Sequence, residues 1–252
     1  MLPKFKNKFS SPSITDPKTF IECKIQSGRK TSFLPPKGVI LYYQSRQFES
    51  ILKNHKTVPG DGFLAKMQFL EEGNIGLFEV GVGGPATAIA LEKLIAFGVK
   101  KFIAIGTAGS LQPHIPMGSF VICNKALRDE GTSHHYLPPA DFIEADAKNI
   151  NKLAHIMQRI GVPYAMGASW STDALFRETI DEVQYYQSQG IITVDLESAA
   201  LLSVAQHRDI SMAVLFTISD ILSAGTWEPH FYHPQTVEGL ETLYQIARTY
   251  FE

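Results

Sequence analysis

After residue 35 the chain alternates short apolar runs with longer stretches whose apolar positions recur at helical spacing. The runs Val39–Tyr43, Phe63–Leu70, Ile75–Val80, Phe102–Ile105, Phe120–Cys123, Tyr164–Ser169, Ile191–Val194 and Ala213–Ile218 predict strands. The spacing predicts helices at Arg46–Asn54, Ala86–Phe97, Ala147–Ile160, Thr179–Gln187, Leu196–His207 and Val237–Tyr250. Strands interleaved with helices of this length predict an α/β fold, a single three-layer αβα domain over residues 36–252 with a mixed, largely parallel central sheet. Residues 1–35 carry scattered Pro, Ser and Lys without periodicity, and predict an extended arm laid on the surface or on a neighbouring subunit.

Composition narrows the chemistry. The 252 residues hold 23 basic and 25 acidic side chains, a formal charge of -2, with no dense Lys/Arg face. That argues against nucleic acid or an anionic membrane as a partner and leaves a small molecule. Cys23 and Cys123 stand a hundred residues apart. They signal neither a disulfide framework nor a zinc site. No apolar stretch approaches a membrane span, and the Lys- and Pro-bearing start lacks an apolar signal core, so the expectation is a cytoplasmic protein.

Parallel sheets bind ligands beyond the carboxyl ends of their strands, and two of those places are glycine-rich: Gly81-Val82-Gly83-Gly84-Pro85 and Gly106-Thr107-Ala108-Gly109-Ser110. Gly81-x-Gly83-x-x-Ala86 has the form of a dinucleotide fingerprint, but the next strand ends in Gly106 where the ribose-binding acid belongs. No Walker loop or Gly-x-Ser-x-Gly elbow occurs. His134-His135 and His230-x-x-His233 lack a third convergent ligand, so no metal is expected. Asp195 and Glu197 open a helix after a strand, where acids cap; Glu197, two residues inside that helix, can instead accept hydrogen bonds from a vicinal diol. Asp220 follows the strongly apolar run Ala213–Ile218 and either caps a turn or does chemistry. Two carboxylates at the ends of separate strands suit glycosidic bond cleavage.

Six segments in order then resemble one family: Gly81-Val-Gly-Gly-Pro, Ile105-Gly-Thr-Ala-Gly, Arg128-Asp-Glu-Gly-Thr-Ser-His-His-Tyr, Ser171-Thr-Asp-Ala-Leu-Phe, Val194-Asp-Leu-Glu-Ser-Ala-Ala and Ile218-Ser-Asp. They are similar to the nucleoside phosphorylases and nucleosidases that include purine nucleoside phosphorylase, uridine phosphorylase and methylthioadenosine/S-adenosylhomocysteine nucleosidase. The resemblance implies that Glu197 binds the ribose hydroxyls and that Leu196, Val82 and Gly109 line the sugar and base pocket. It implies that Phe176 stacks on the ligand and that Asp220 gives a proton to N7 of a leaving purine. The Gly-Gln-x-Arg pyrimidine reader of uridine phosphorylases is absent after Phe176, whereas Arg128–Tyr136 is closer to the uridine enzymes, so the base assignment is split and leans to purine. The same resemblance implies a homo-oligomer, a dimer or a hexamer built as a trimer of dimers, in which a neighbour's His135 and Tyr136, with Phe142, close the sugar's 5′ end.

At the phosphate site the pattern thins. Where the family's phosphorylases have Gly-Asp-Pro-x-Arg, this chain has Tyr42-Tyr43-Gln44-Ser45-Arg46, and Ala104 stands at a second arginine position. A hydrogen bond to a charged partner is worth about 1.5–3 kcal/mol. Inorganic phosphate, the expected co-substrate in place of any cofactor, is then held by Arg46 and Thr107, with Arg128 or Arg177 as substitutes. Alternatively water replaces phosphate, as in the nucleosidases, or the chain is a catalytically impaired nucleoside binder.

Overall fold

The computed structural model of the chain describes residues 3–5, 7–43, 48–49, 52–53, 55–70, 74–222 and 225–252. The strands are β1 (Gly38–Tyr42), β2 (Thr57–Pro59), β3 (Met67–Leu70), β4 (Ile75–Glu79), β5 (Lys101–Ser110), β6 (Phe120–Asp129), β7 (Phe142–Glu144), β8 (Ala165–Thr172), β9 (Thr193–Asp195), β10 (Ser211–Ile221) and β11 (Glu228–Pro229). The helices are α1 (Pro17–Gln26), α2 (Gly84–Phe97), α3 (Ala147–Arg159), α4 (Ile180–Ser188), α5 (Ser198–Arg208) and α6 (Pro234–Phe251).

Period-two alternation decides which layer each strand residue meets. Val39 and Leu41 of β1, Phe102 and Ala104 of β5, and Met212, Val214 and Phe216 of β10 join one core with Ala88, Leu91 and Leu94 of α2 and Leu201, Val204 and Ala205 of α5. The intervening Ile40, Tyr42, Ile103, Ile105, Ala213 and Leu215 join the opposite core with Ile150, Leu153 and Met157 of α3 and Leu243, Tyr244 and Ala247 of α6. Helices thus cover a mixed sheet on both faces, the αβα arrangement expected from the alternation of elements. A bidentate ion pair from Arg208 to Glu92, with Nε and Nη2 both 2.9 Å from a carboxylate oxygen, ties α5 to α2.

The sheet also closes on itself at one end. β1 lies between β4 and β5, parallel to both. β5 continues parallel to β10, β10 pairs antiparallel with β6, β6 parallel with β8, and β8 parallel with β9. β9 returns to pair with Gly109 and Ser110 of β5, completing a ring of five strands. This ring brings Thr107 and Gly109 of β5, Val194 and Asp195 of β9 and Asp220 of β10 together around one cavity.

Two expectations change. Residues 17–26 form α1 rather than extended arm, because Asp16 accepts from the Lys18 amide (2.9 Å), Pro17 occupies the first turn, and Ile21 is buried. Phe63–Leu70 is not one strand: Gly62–Leu64 is a 3₁₀ turn that buries Leu64, and only Met67–Leu70 pairs. The predicted helix Arg46–Asn54 lies in large part outside the described residues.

Candidate active site

Asp195 and Glu197 stand two residues apart at the start of α5, and the structure divides between them the two roles left open above. Asp195 is the cap. Its Oδ2 accepts from the amides of Glu197 (3.0 Å) and Ser198 (2.6 Å), and its Oδ1 from the hydroxyls of Ser169 (2.9 Å) and Ser171 (2.8 Å). Glu197 makes no capping bond to its own helix. Its Oε1 reaches across to accept from the Gly83 amide at 2.7 Å. Gly83 presents that amide from φ 96°, a conformation costly for any residue with a side chain, and this accounts for glycine there. Burial, then the charge of Asp195, pushes the Glu197 carboxyl up to about 8.

Asp220 lies within β10, opposite Gly109 on one side and Pro229 of β11 on the other, so it is not the cap of a turn. Its Oδ1 accepts from the Ser219 hydroxyl (2.7 Å) and its Oδ2 from the Trp227 indole N–H (2.9 Å). Burial raises its pKa, opposed by those two donors and by His230. Gly109 makes this placement possible: a Cβ there would stand 2.6 Å from Leu222 Cδ1 and 3.0 Å from Asp220 Oδ2.

Both carboxyls line one cavity at the mouth of the strand ring, with Val82, Thr107, Gly109 and Leu196 beside them. Five of the residues expected at a ligand site therefore converge on it with Asp220. The wall also contains Tyr43, Leu175, Glu178 and Phe231, which the sequence reading did not single out. Tyr43 was reachable, since it ends the first apolar strand. Glu178 carried a weaker signal: in Thr179-x-x-Glu182 the capping box uses Glu182, and Glu178 is left just ahead of the helix.

Other expected contributors fall elsewhere. Phe176 is 84% exposed and outside the cavity wall, because the 3₁₀ turn Leu175–Arg177 buries neither it nor Arg177. Leu175 and Phe231 supply the apolar wall instead. Arg46 lies outside the described residues. Ala104 is core, 1% exposed. Arg128 is not available as a phosphate ligand: its Nε donates to Ser133 Oγ (3.0 Å), Nη1 to Pro138 O (2.8 Å) and Nη2 to Leu137 O (3.2 Å), folding its own loop. His135 and Tyr136 line a different and larger cleft of about 660 Å³ with Lys8, Phe20, Ile89 and His207, whereas Phe142 packs beside the cluster around Trp170. The larger cleft lacks the convergent buried carboxyls, so the smaller cavity is the better candidate for chemistry. Among the described residues no cluster of His, Cys, Asp and Glu could hold a metal ion, and no helix is long and apolar enough to cross a membrane.

Comparison with known proteins agrees with this geometry. The family model described as the phosphorylase superfamily matches residues 44–252. Uridine phosphorylase of Escherichia coli strain K12 is 30% identical over 144 residues, which cover 52% of this chain and 57% of that protein, so the chain matches little more than half the length of that relative. Purine nucleoside phosphorylase from Toxoplasma gondii in complex with immucillin-H superimposes with a TM-score of 0.73 at 20% identity, over 86% of this chain and 90% of that one. Uridine phosphorylase from Vibrio fischeri ES114 gives 0.72 at 24% identity, over 85% and 91% of the two chains. With a strand ring and cavity of this form and a family match across most of its length, the chain belongs to the phosphorylase superfamily.

Proposed function

We propose that the protein cleaves the N-glycosidic bond of a purine nucleoside with inorganic phosphate, releasing the base and ribose 1-phosphate. The observation that carries this reading is the convergence of Glu197 and Asp220, two buried carboxyls on separate elements, with Thr107 on a single cavity. Glu197, free of capping duty and fixed by the Gly83 amide, accepts from the ribose hydroxyls, while Leu196 and Val82 pack on the sugar. Asp220, at the Gly109 end, hydrogen-bonds the base. Phosphate meets C1′ from the Thr107 end, helped by Arg46. As the bond to the base lengthens the sugar gains oxocarbenium character, which a nearby carboxylate stabilises.

The purine preference rests on Asp220 in the base subsite. Uridine is the second reading of the base, favoured by the uridine phosphorylases among the relatives. Hydrolysis is the second reading of the nucleophile. Among the described residues lining the cavity are the acids Glu178, Asp195, Glu197 and Asp220 but no Lys or Arg. Incubation with inosine, adenosine, methylthioadenosine and uridine, with and without phosphate, tests the reading. Ribose 1-phosphate from a purine nucleoside supports it, free ribose moves the assignment to the nucleosidases, and product from uridine alone moves it to the uridine enzymes.

A further inference from the structure

Two carboxyls share the base end of the cavity, and their surroundings differ. Burial raises the pKa of Asp220, but it has a donor on each oxygen, Ser219 Oγ on one and Trp227 Nε1 on the other, and these with His230 nearby favour its ionised form. Glu178 has the opposite environment. Its Oε1 is buried without a hydrogen-bond partner. The charged groups that act on it are the carboxylates of Asp220, from β10, and of Glu182, from α4. Glu182 is itself occupied as a cap, its Oε2 accepting from the amide (3.0 Å) and hydroxyl (2.6 Å) of Thr179. Two carboxyls facing one site do not both ionise readily, and the one whose buried oxygen has no donor, Glu178, keeps the proton.

We propose that Glu178 is the general acid that protonates the leaving base, and that Asp220 remains a carboxylate that holds the base in place. This rests on the glycosidic-cleavage reading above. As the C1′–N bond breaks, its electron pair goes to the base, which takes the Glu178 proton at a ring nitrogen. The phosphate oxygen forms the new bond to C1′, Glu178 is left as a carboxylate, and it regains a proton from solvent before the next turnover. Burial, and then the charge of Asp220, pushes Glu178 up to about 7, which suits an acid working near neutral pH.

The test compares inosine with N7-methylinosine, whose base already carries positive charge and leaves without a proton. Both are followed from about pH 5.5 to about 9 in the wild type, Glu178→Gln and Asp220→Asn. Glu178→Gln should slow inosine cleavage about a hundredfold or more, lose the alkaline limb near pH 7, and still cleave N7-methylinosine near the wild-type rate. Asp220→Asn should raise KM and move the alkaline limb to lower pH, because the charge that hinders Glu178 ionisation is gone. Glu178→Asp, which keeps an acid, should restore the limb, and melting curves check that each variant folds. Loss of the limb in Asp220→Asn alone, equal loss on both substrates, or wild-type behaviour of Glu178→Gln would overturn the assignment. If the wild type cleaves neither inosine nor uridine, the cleavage reading and this assignment fall together; normal cleavage with an indifferent Glu178 removes only the assignment.

Discussion

At the scale of residues, Glu197 couples function to stability. Its carboxyl moves from an ordinary 4.5 up to about 8 in the folded chain. A carboxyl raised on folding contributes stability that is fully present below its unfolded value and is lost as pH rises through the folded one. The melting temperature of Glu197→Gln should therefore gain on that of the wild type between pH 4.5 and 8. A pH-independent difference between the two curves would show that Glu197 ionises freely in the fold. The same variant should lose more activity on ribonucleosides than on 2′-deoxyribonucleosides, because only the former offer both hydroxyls to the carboxyl oxygens, one of which the amide replaces with a donor. Equal losses would return Glu197 to a structural role. Of the neighbouring carboxyls Asp195 and Glu197, the second was legible in the sequence as the diol-binding acid, but the bonds that make the first alone the cap were not. That division depends on Gly83 and on Ser169 and Ser171, which folding brings from distant parts of the chain.

At the scale of elements, the start of α5 carries the site. Asp195→Ala would strand two amides and two buried hydroxyls, each buried unsatisfied group costing about 1–3 kcal/mol, so urea denaturation should show a loss of about 3 kcal/mol or more. Asp195→Asn, which keeps one acceptor oxygen, should lie between the two. An alanine variant as stable as the wild type would remove Asp195 from its place as the cap. Near the end of β6, Arg128→Lys replaces a three-partner fork with a point charge and should loosen the following loop at residues 133–138, seen as faster amide exchange there. Unchanged exchange would mean that Glu130, which accepts from the Thr132 and Ser133 amides, is sufficient to hold the loop. The elements themselves were legible in proportion to their local signals. α2 was read to within two residues because Gly-Gly-Pro opens it and Gly98 closes it. β5 and β10 were read too short. Gly106, Gly109, Ser110, Ser219 and Asp220 have weak strand preference and are held extended by pairing around the ring.

At the scale of the molecule, His135 and Tyr136 are informative by their distance in function from their own chain's cavity: they line the cleft against residues 8–20 instead. If they serve a nucleoside site, it is a neighbour's. Light scattering should then give a dimer or a larger assembly, and mixing inactive His135→Ala with inactive Glu197→Ala should recover activity through hybrid assemblies. A fully active monomer of 27.9 kDa would contradict this arrangement. The order of elements was readable from hydrophobic periodicity, whereas ring closure was not, because it depends on β9, three residues that return to β5 from far along the chain. The central claim, that this cavity splits nucleosides with phosphate, is tested most directly by chromatography of a purine nucleoside incubated with the protein in the presence and absence of inorganic phosphate. The account predicts free base and ribose 1-phosphate, formed only with phosphate and abolished by Glu197→Ala; base release that ignores phosphate and yields ribose, or no base release from any nucleoside, would contradict it.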